Sequence, residues 1–218
     1  MMRFDIITLF PEICLAYSGE SIINRAQKAG HISVHVHDLR KFVENRHHKV
    51  DDRVYGGGPG MVIQIEPLVR AIEYIKKQAQ CRSSKILLMS AAGKQFEDTL
   101  TRRYSRYYKH FILIAGRYEG IDERIKKVFS IEEVSVGPYV LTGGELPALI
   151  VMDAVSRKIT GVLGKKESLE EKRYGIGVPV YTRPEVFVYK KREYDVPQVL
   201  RSGNHKEIER WRLEHKKK

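Results

Sequence analysis

Four glycines crowd one short stretch of this chain, DDRVYGGGPGM at 51–61, where Gly56, Gly57, Gly58 and Gly60 surround Pro59. A backbone so poor in side chains reaches positive φ and passes close to another surface, although ordering it costs much conformational entropy. The stretch is not GxGxxG and lacks the Lys-Ser/Thr ending of a phosphate loop, so it reads as a functional loop or as an ordinary glycine turn. Three more stretches follow apolar runs of strand length: MSAAG (89–93), AGRYEG (115–120) and SVGPYVLTGGELPA (135–148). Their small residues leave backbone donors and acceptors within reach, which suits the base edge and ribose of a nucleotide-like ligand. Glu119 is placed to pair with a cationic group such as an amino-acid ammonium.

The elements around these loops follow from periodicity. RFDIITLF reads as a first buried strand ended by Pro11. Residues 12–30 read as a helix closed by Gly30. HISVHVH (31–37) alternates, with Ile32, Val34 and Val36 on one face and His31, Ser33, His35 and His37 on the other. No carboxylate or cysteine cluster adjoins these histidines in sequence, so they read as a polar strand face. Residues 67–80 form a predicted helix with Leu68, Ala71, Ile72 and Ile75 on one side. KILLM (85–89) and FILIA (111–115) are strand-length apolar runs separated by a basic, tyrosine-rich helical segment at 95–109. A further helix runs from Glu145 to about Lys158, with Leu149, Met152 and Val155 on its apolar side. Strand–helix–strand connections of this length predict a parallel sheet covered on both faces, and in such a sheet neighbouring strand ends line one ligand crevice. Residues 161–177 are charged and framed by glycines, the pattern of a linker. A short, proline-punctuated stretch follows. Then comes a helix capped by Asn204, with Ile208, Trp211 and Leu213 available to dock it.

Composition narrows the class. With 42% apolar and 30% charged residues the chain reads as folded rather than disordered. Cys14 and Cys81 lie far apart and form no CxxC pair, so neither a disulfide framework nor a zinc knuckle is expected and a reducing compartment fits. The apolar run of the N-terminus is short for a signal peptide, and no run of eighteen apolar residues marks a membrane span. A formal charge of +12, from 39 Lys and Arg against 27 Asp and Glu, suits a polyanionic partner. Asp51, Asp52 and Arg53 then either hold the glycine turn or touch RNA.

LFPE (9–12), DDRVYGGGPGM (51–61), GRYEGIDER (116–124), VGPYVLTGGELPA (136–148), DAVSR (153–157), GVLG (161–164), YTRPEV (181–186) and SGNHKEIERWR (202–212) carry a resemblance across nearly the whole chain. Together they closely resemble the bacterial tRNA (guanine-N1)-methyltransferases of the SPOUT superfamily, which modify guanine 37. The resemblance implies an α/β methyltransferase domain at 1–160 with a parallel sheet and a deep trefoil knot. It further implies a charged linker or lid at 161–177 and a shortened, mainly helical tRNA-binding region at 178–218. S-adenosylmethionine would lie bent in the knot of an obligate homodimer, in the cytoplasm. The tRNA substrate would carry G37, preferentially after G36, and the reaction would be helped by Mg²⁺, although no ligand cluster here demands a metal. Carried over by motif, the donor would be held by Leu88, Ser90, Ala91 and Gly93, by Gly116, Arg117, Tyr118, Glu119 and Gly120, and by Ser135, Val136, Gly137, Tyr139, Val140, Leu141, Gly143 and Gly144. Ala91 stands where the family has a proline, and Pro138 where it has an aspartate.

N1 of guanine is protonated at neutral pH, so methylating it requires a base at N1 and positive charge near O6. Arg157, in DAVSR, matches the family arginine given the second task. The family aspartate given the first task has no counterpart: counting from GVLG puts Lys172 at its place, and a slip of one residue brings Glu171 there. Glu171 is the first candidate base and Glu170 the second. The alternatives are a related methyltransferase acting on another RNA nucleotide, or a non-catalytic RNA- or cofactor-binding protein.

Overall fold

The computed structural model describes residues 1–44, 49–58, 60–81, 83–164 and 177–216. They fall into two compact units, Met1–Val162 and Leu163–Lys218.

The first unit is built on a five-stranded sheet, in which β1 (Met2–Thr8), β2 (Ile32–Asp38), β5 (Ser84–Gln95), β6 (His110–Ile114) and β7 (Ile131–Ser135) lie in the order β2-β1-β6-β5-β7. Every pairing in it is parallel. The middle strands are apolar almost without interruption because both their faces are covered. Phe111 and Leu113 of β6 point to one side, where they meet Phe4 and Ile6 of β1. The helices on that side are α1 (Pro11–Ser18), α2 (Ser21–Lys28), α4 (Asp98–Tyr107) and α6 (Glu145–Ser156). Ile112 and Ile114 point to the other side, onto α3 (Ile65–Ala79) and α5 (Ile125–Val128). The apolar stripe of α3, Leu68, Ala71, Ile72 and Ile75, is wholly buried there, each large side chain contributing about 1.5–3 kcal/mol.

In the first unit three details depart from the sequence reading. Residues 12–30 form two helices rather than one. The Gly19 amide closes α1 on the Leu15 carbonyl at 2.9 Å, and Ser21 turns the chain with φ 51°. The MSAAG stretch is not a loop beyond a strand but an irregularity inside β5, since Met89 and Lys94 both pair with Val134 of β7. Gly93 permits this: a Cβ there would meet the Val134 amide at 2.5 Å. The histidine face of β2 is not uniformly solvated either. His37 donates to the wholly buried Asp5 carboxylate at 2.7 Å, as does His110 at 2.8 Å, with Arg3 completing the group at 2.7 Å.

The glycine-rich stretch connects a short antiparallel pair, β3 (Asp51–Arg53) and β4 (Met61–Ile63). In the second unit, residues 178–200 contain a hairpin that the sequence reading missed, β8 (Val186–Tyr189) and β9 (Arg192–Asp195), followed by α7 (Gln198–Arg201). The terminal helix α8 (His205–Glu214) is capped as expected, Asn204 accepting from the Glu207 amide at 3.4 Å. Trp211 is half-buried and stacks on His215 with ring centroids 4.2 Å apart, whereas Leu213 stays exposed rather than docking.

Candidate active-site cleft

Because β6, β5 and β7 are neighbours and parallel, their carboxyl ends open side by side, and the loops leaving them enclose a cleft of about 300 Å³. Its walls come from 88–91, 116–121 and 133–144. Each of the residues expected to hold a donor lines it except Gly93, whose place is the close contact with β7. Ser90 and Ala91 are brought to the cleft by the same irregularity in β5 that Gly93 allows.

The cleft is held shut at its base by backbone rather than by long side chains. The Gly144 amide donates to the Gly116 carbonyl at 2.9 Å, and a Cβ on Gly144 would meet the Ala115 Cα and the Gly116 nitrogen at 2.7 Å. Ser135 Oγ donates to the Gly137 carbonyl at 2.9 Å and fixes the turn after β7. In the middle loop Tyr118 has φ 61° and Gly120 φ 125°. A tyrosine in this conformation is strained and persists only where its surroundings hold it. Those surroundings include β4: the Glu119 amide donates to the Met61 carbonyl at 3.0 Å, and the Ile63 amide to the Gly120 carbonyl at 3.1 Å. The glycine-rich hairpin is thereby laid against the cleft, with Gly60 so near Glu119 that a Cβ would meet its side chain at 2.7 Å. That contact sets the hairpin beside Glu119 of the cleft wall.

Arg117 is the most firmly held cation of the cleft wall. It donates from Nε to Glu145 at 2.9 Å and from Nη1 to the Thr142 carbonyl at 3.0 Å, and its guanidinium lies 4.5 Å from the Phe10 ring centre. Glu145 is buried and also accepts from Thr8 Oγ1 at 2.8 Å. Sequence reasoning named Arg117 but not Glu145, Thr8 or Phe10 as its supports, and missed Ile121, Glu123, Glu133 and Val134 as lining. Phe10 and Glu145 did fall inside quoted motifs, LFPE and VGPYVLTGGELPA, so the signal was present without its reason. Among the lining carboxylates, the Lys126 ammonium beside Glu133 holds that group below its usual range.

The chemistry of this lining suits a nucleoside-type cofactor with a cationic tail. Backbone amides and carbonyls surround apolar Leu88, Ile121, Val136 and Leu141, which can cover an aromatic base, while Glu119, Glu123 and Glu133 supply negative charge. Among the described residues no group of three or more His, Cys, Asp and Glu is arranged to hold a metal ion.

The structure does not bring Arg157 into this cleft. It caps the C-terminus of α6, its amide donating to the Asp153 carbonyl at 3.0 Å. Asp153 in turn accepts from Tyr17 of α1 at 2.6 Å, and that hydrogen bond pushes the Tyr17 phenol up to about 12. Glu170, Glu171 and Lys172 lie outside the described residues, as does Pro59.

Comparison with known proteins places these motifs together. Residues 2–218 match the family model described as tRNA (Guanine-1)-methyltransferase TrmD. A tRNA (guanine-N(1)-)-methyltransferase of Moorella thermoacetica is 44% identical over 214 residues, 97% of this chain and 84% of the relative. One of Methylococcus capsulatus is 48% identical over 215 residues, 97% of this chain and 83% of the relative. Among solved structures, the tRNA (m1G37) methyltransferase of Aquifex aeolicus superposes with a TM-score of 0.80 at 39% identity, covering 98% of this chain and 88% of that one.

Proposed function

The chain belongs to the tRNA (guanine-1)-methyltransferase family, and on that premise we propose that it transfers a methyl group from S-adenosylmethionine to N1 of guanosine 37 in the tRNA anticodon loop. The observation that carries this reading is the single cleft formed where 88–91, 116–121 and 133–144 converge. When bound, S-adenosylmethionine supplies an electrophilic methyl carbon on a sulfonium. The glycine backbones would admit its adenosine moiety and Glu119 would pair with its amino-acid ammonium, while Arg117, locked by Glu145, keeps the middle loop in register.

Guanine N1 must lose its proton before it attacks that carbon, and the attack needs no covalent enzyme intermediate. Arg157 would offer directed guanidinium donors to the O6 that becomes negative. Glu171, with Glu170 as the second choice, takes the proton. Arg157 stands off the cleft of its own chain, which fits an active site completed by a second copy. Ile13 and Tyr17 of α1, with Leu146 and Ile150 of α6, expose 40%, 44%, 57% and 46% of their surface. An apolar patch of this kind is suited to a homodimer, which sedimentation at twice the chain mass would verify and at the single-chain mass would refute. We assign 1–160 to the knotted methyltransferase domain, 161–177 to a charged linker or lid and 178–218 to tRNA holding. The preference for G36 before G37, the cytoplasmic setting and the help of Mg²⁺ belong to the same reading. No helix among the described residues is long and apolar enough to cross a membrane.

Purified protein, methyl-labelled donor and unmodified tRNA transcripts carrying G37 or A37 test the proposal. Label is expected on the G37 transcript alone, as N1-methylguanosine. Label on both transcripts, or at another nucleotide, would overturn it. Glu171→Gln and Arg157→Ala should each slow single-turnover transfer at least a hundredfold, the usual scale for a lost acid–base or electrostatic group, with donor affinity kept. Near-normal transfer in either variant removes that residue from the mechanism.

A further inference from the structure

The β8–β9 ribbon is exposed along its whole length, at all eight of its residues. Its register pairs Phe187 with Tyr194 and Tyr189 with Arg192, and these four side chains share one face. Val186, Val188, Glu193 and Asp195 share the other. One face is therefore aromatic and cationic, the other aliphatic and acidic. Phe187, Tyr189 and Tyr194 leave 56%, 52% and 52% of their surface open. Phe187 and Tyr194 lie with ring centres 6.5 Å apart, and the Lys190 ammonium sits 5.3 Å from the Tyr189 ring.

The turn is the second observation. Lys190 and Lys191 form a two-residue loop with φ 50° and 64°, the pattern of the tight hairpin turn in which Asn-Gly is favoured. Residues that carry a Cβ, Asn and Asp least among them, are strained in this conformation. Two lysines here give up turn stability, and what they add is charge at the tip of an aromatic face. Strain retained at such a place points to function.

We propose that the aromatic–cationic face of this ribbon binds unpaired nucleotides of the substrate tRNA, Phe187, Tyr189 and Tyr194 stacking on bases while Lys190, Lys191 and Arg192 meet the adjoining phosphates. Single-stranded RNA is recognised by stacking of this kind, because every base offers a π face to an aromatic ring. The charge selects the occupant. A second copy docked face to face across a two-fold axis would set Lys190, Lys191 and Arg192 against their own images, and the acidic face would repel phosphate. The inference rests on the tRNA-modifying reading above and adds a contact to it.

The test measures binding of a G37 tRNA transcript by the full chain, its turnover, and donor affinity. Phe187→Leu with Tyr194→Leu keeps apolar bulk but removes both rings. It should weaken tRNA binding by about tenfold or more, given the usual worth of a base stack. The loss should appear in KM rather than kcat, and Phe187→Tyr should restore binding in the single-site comparison. Lys190→Asn with Lys191→Gly should melt a few degrees higher, yet bind tRNA more weakly, with a salt slope lower by about one to two. A merely structural turn would gain stability and keep its tRNA affinity, and that result overturns the proposal. So does unchanged binding by the Phe187/Tyr194 variant, or a loss that only follows dissociation of a dimer. Parent turnover on the G37 transcript is read in the same assay, so failure of the methyl-transfer reading appears in the parent and failure of the ribbon only in the variants.

Discussion

At the scale of single residues, Arg117 shows how a loop cation becomes fixed equipment. Its charge is balanced by buried Glu145 and its face lies over Phe10, so the middle loop is pinned to the start of α6 and to the chain after β1. Glu145→Gln should keep the Thr8 bond and loosen Arg117, weakening S-adenosylmethionine binding roughly tenfold, about the worth of one charge-assisted hydrogen bond. Isothermal calorimetry checks this, and an affinity equal to the parent's would show that Arg117 needs no such anchor. Residue types at the cleft were legible in the sequence because glycines and small residues mark close backbone approach. The Thr8–Glu145–Arg117 chain was not, since its members stand 137 and 28 positions apart and meet only through the fold.

Among the elements, the parallel strands and the apolar stripe of α3 could be read from periodicity, for burial on two faces leaves a continuous apolar run and burial on one leaves a 3.6-residue repeat. What could not be read were features whose cause is tertiary. The irregularity in β5 depends on β7 lying against Gly93, and the β8–β9 ribbon turns on two lysines with no Gly or Asn to announce it. The contact between Gly144 and the end of β6 yields a sharp expectation. Gly144→Ala would drive a methyl group into the Ala115 and Gly116 backbone, costing about 1–3 kcal/mol as overpacking does, and donor binding should fall with it. Gly58 meets nothing within 4 Å and is limited only by its φ of 115°, so Gly58→Ala should leave donor binding in place. Thermal melting with calorimetry distinguishes the two, and equal donor affinity in both variants would contradict the close-approach argument.

Across the whole molecule, the buried group at Asp5 ties β1, β2 and β6 together away from the glycine-lined cleft. Burial alone would raise the Asp5 carboxyl, but hydrogen bonds from His110, His37 and Arg3 overcome it and hold the group well below its ordinary 3.8. A depressed carboxyl stabilises the fold at every pH above that ordinary value, and the contribution drains away as pH falls through the folded-state value. Asp5→Asn should therefore cost about 3 kcal/mol near neutrality, the scale of a broken buried charge group, and flatten the loss of stability below pH 3.8. Denaturant titrations at neutral and acid pH measure both effects, and a variant as acid-sensitive as the parent would exclude Asp5 as the cause. Charge is distributed unevenly at this scale: residues 163–218 hold 15 of the 39 Lys and Arg against 9 of the 27 Asp and Glu. That excess suits a phosphate partner.

The account turns on one cleft accepting a sulfonium donor, and titrating S-adenosylmethionine into the protein while recording a structure of the mixture tests it most directly. One donor per chain is expected, its adenosine against the backbones of 88–91, 116–121 and 133–144, with uptake abolished by Gly144→Val in a chain that still melts cooperatively. Uptake unaltered by that substitution, or a donor seated elsewhere, would contradict the account.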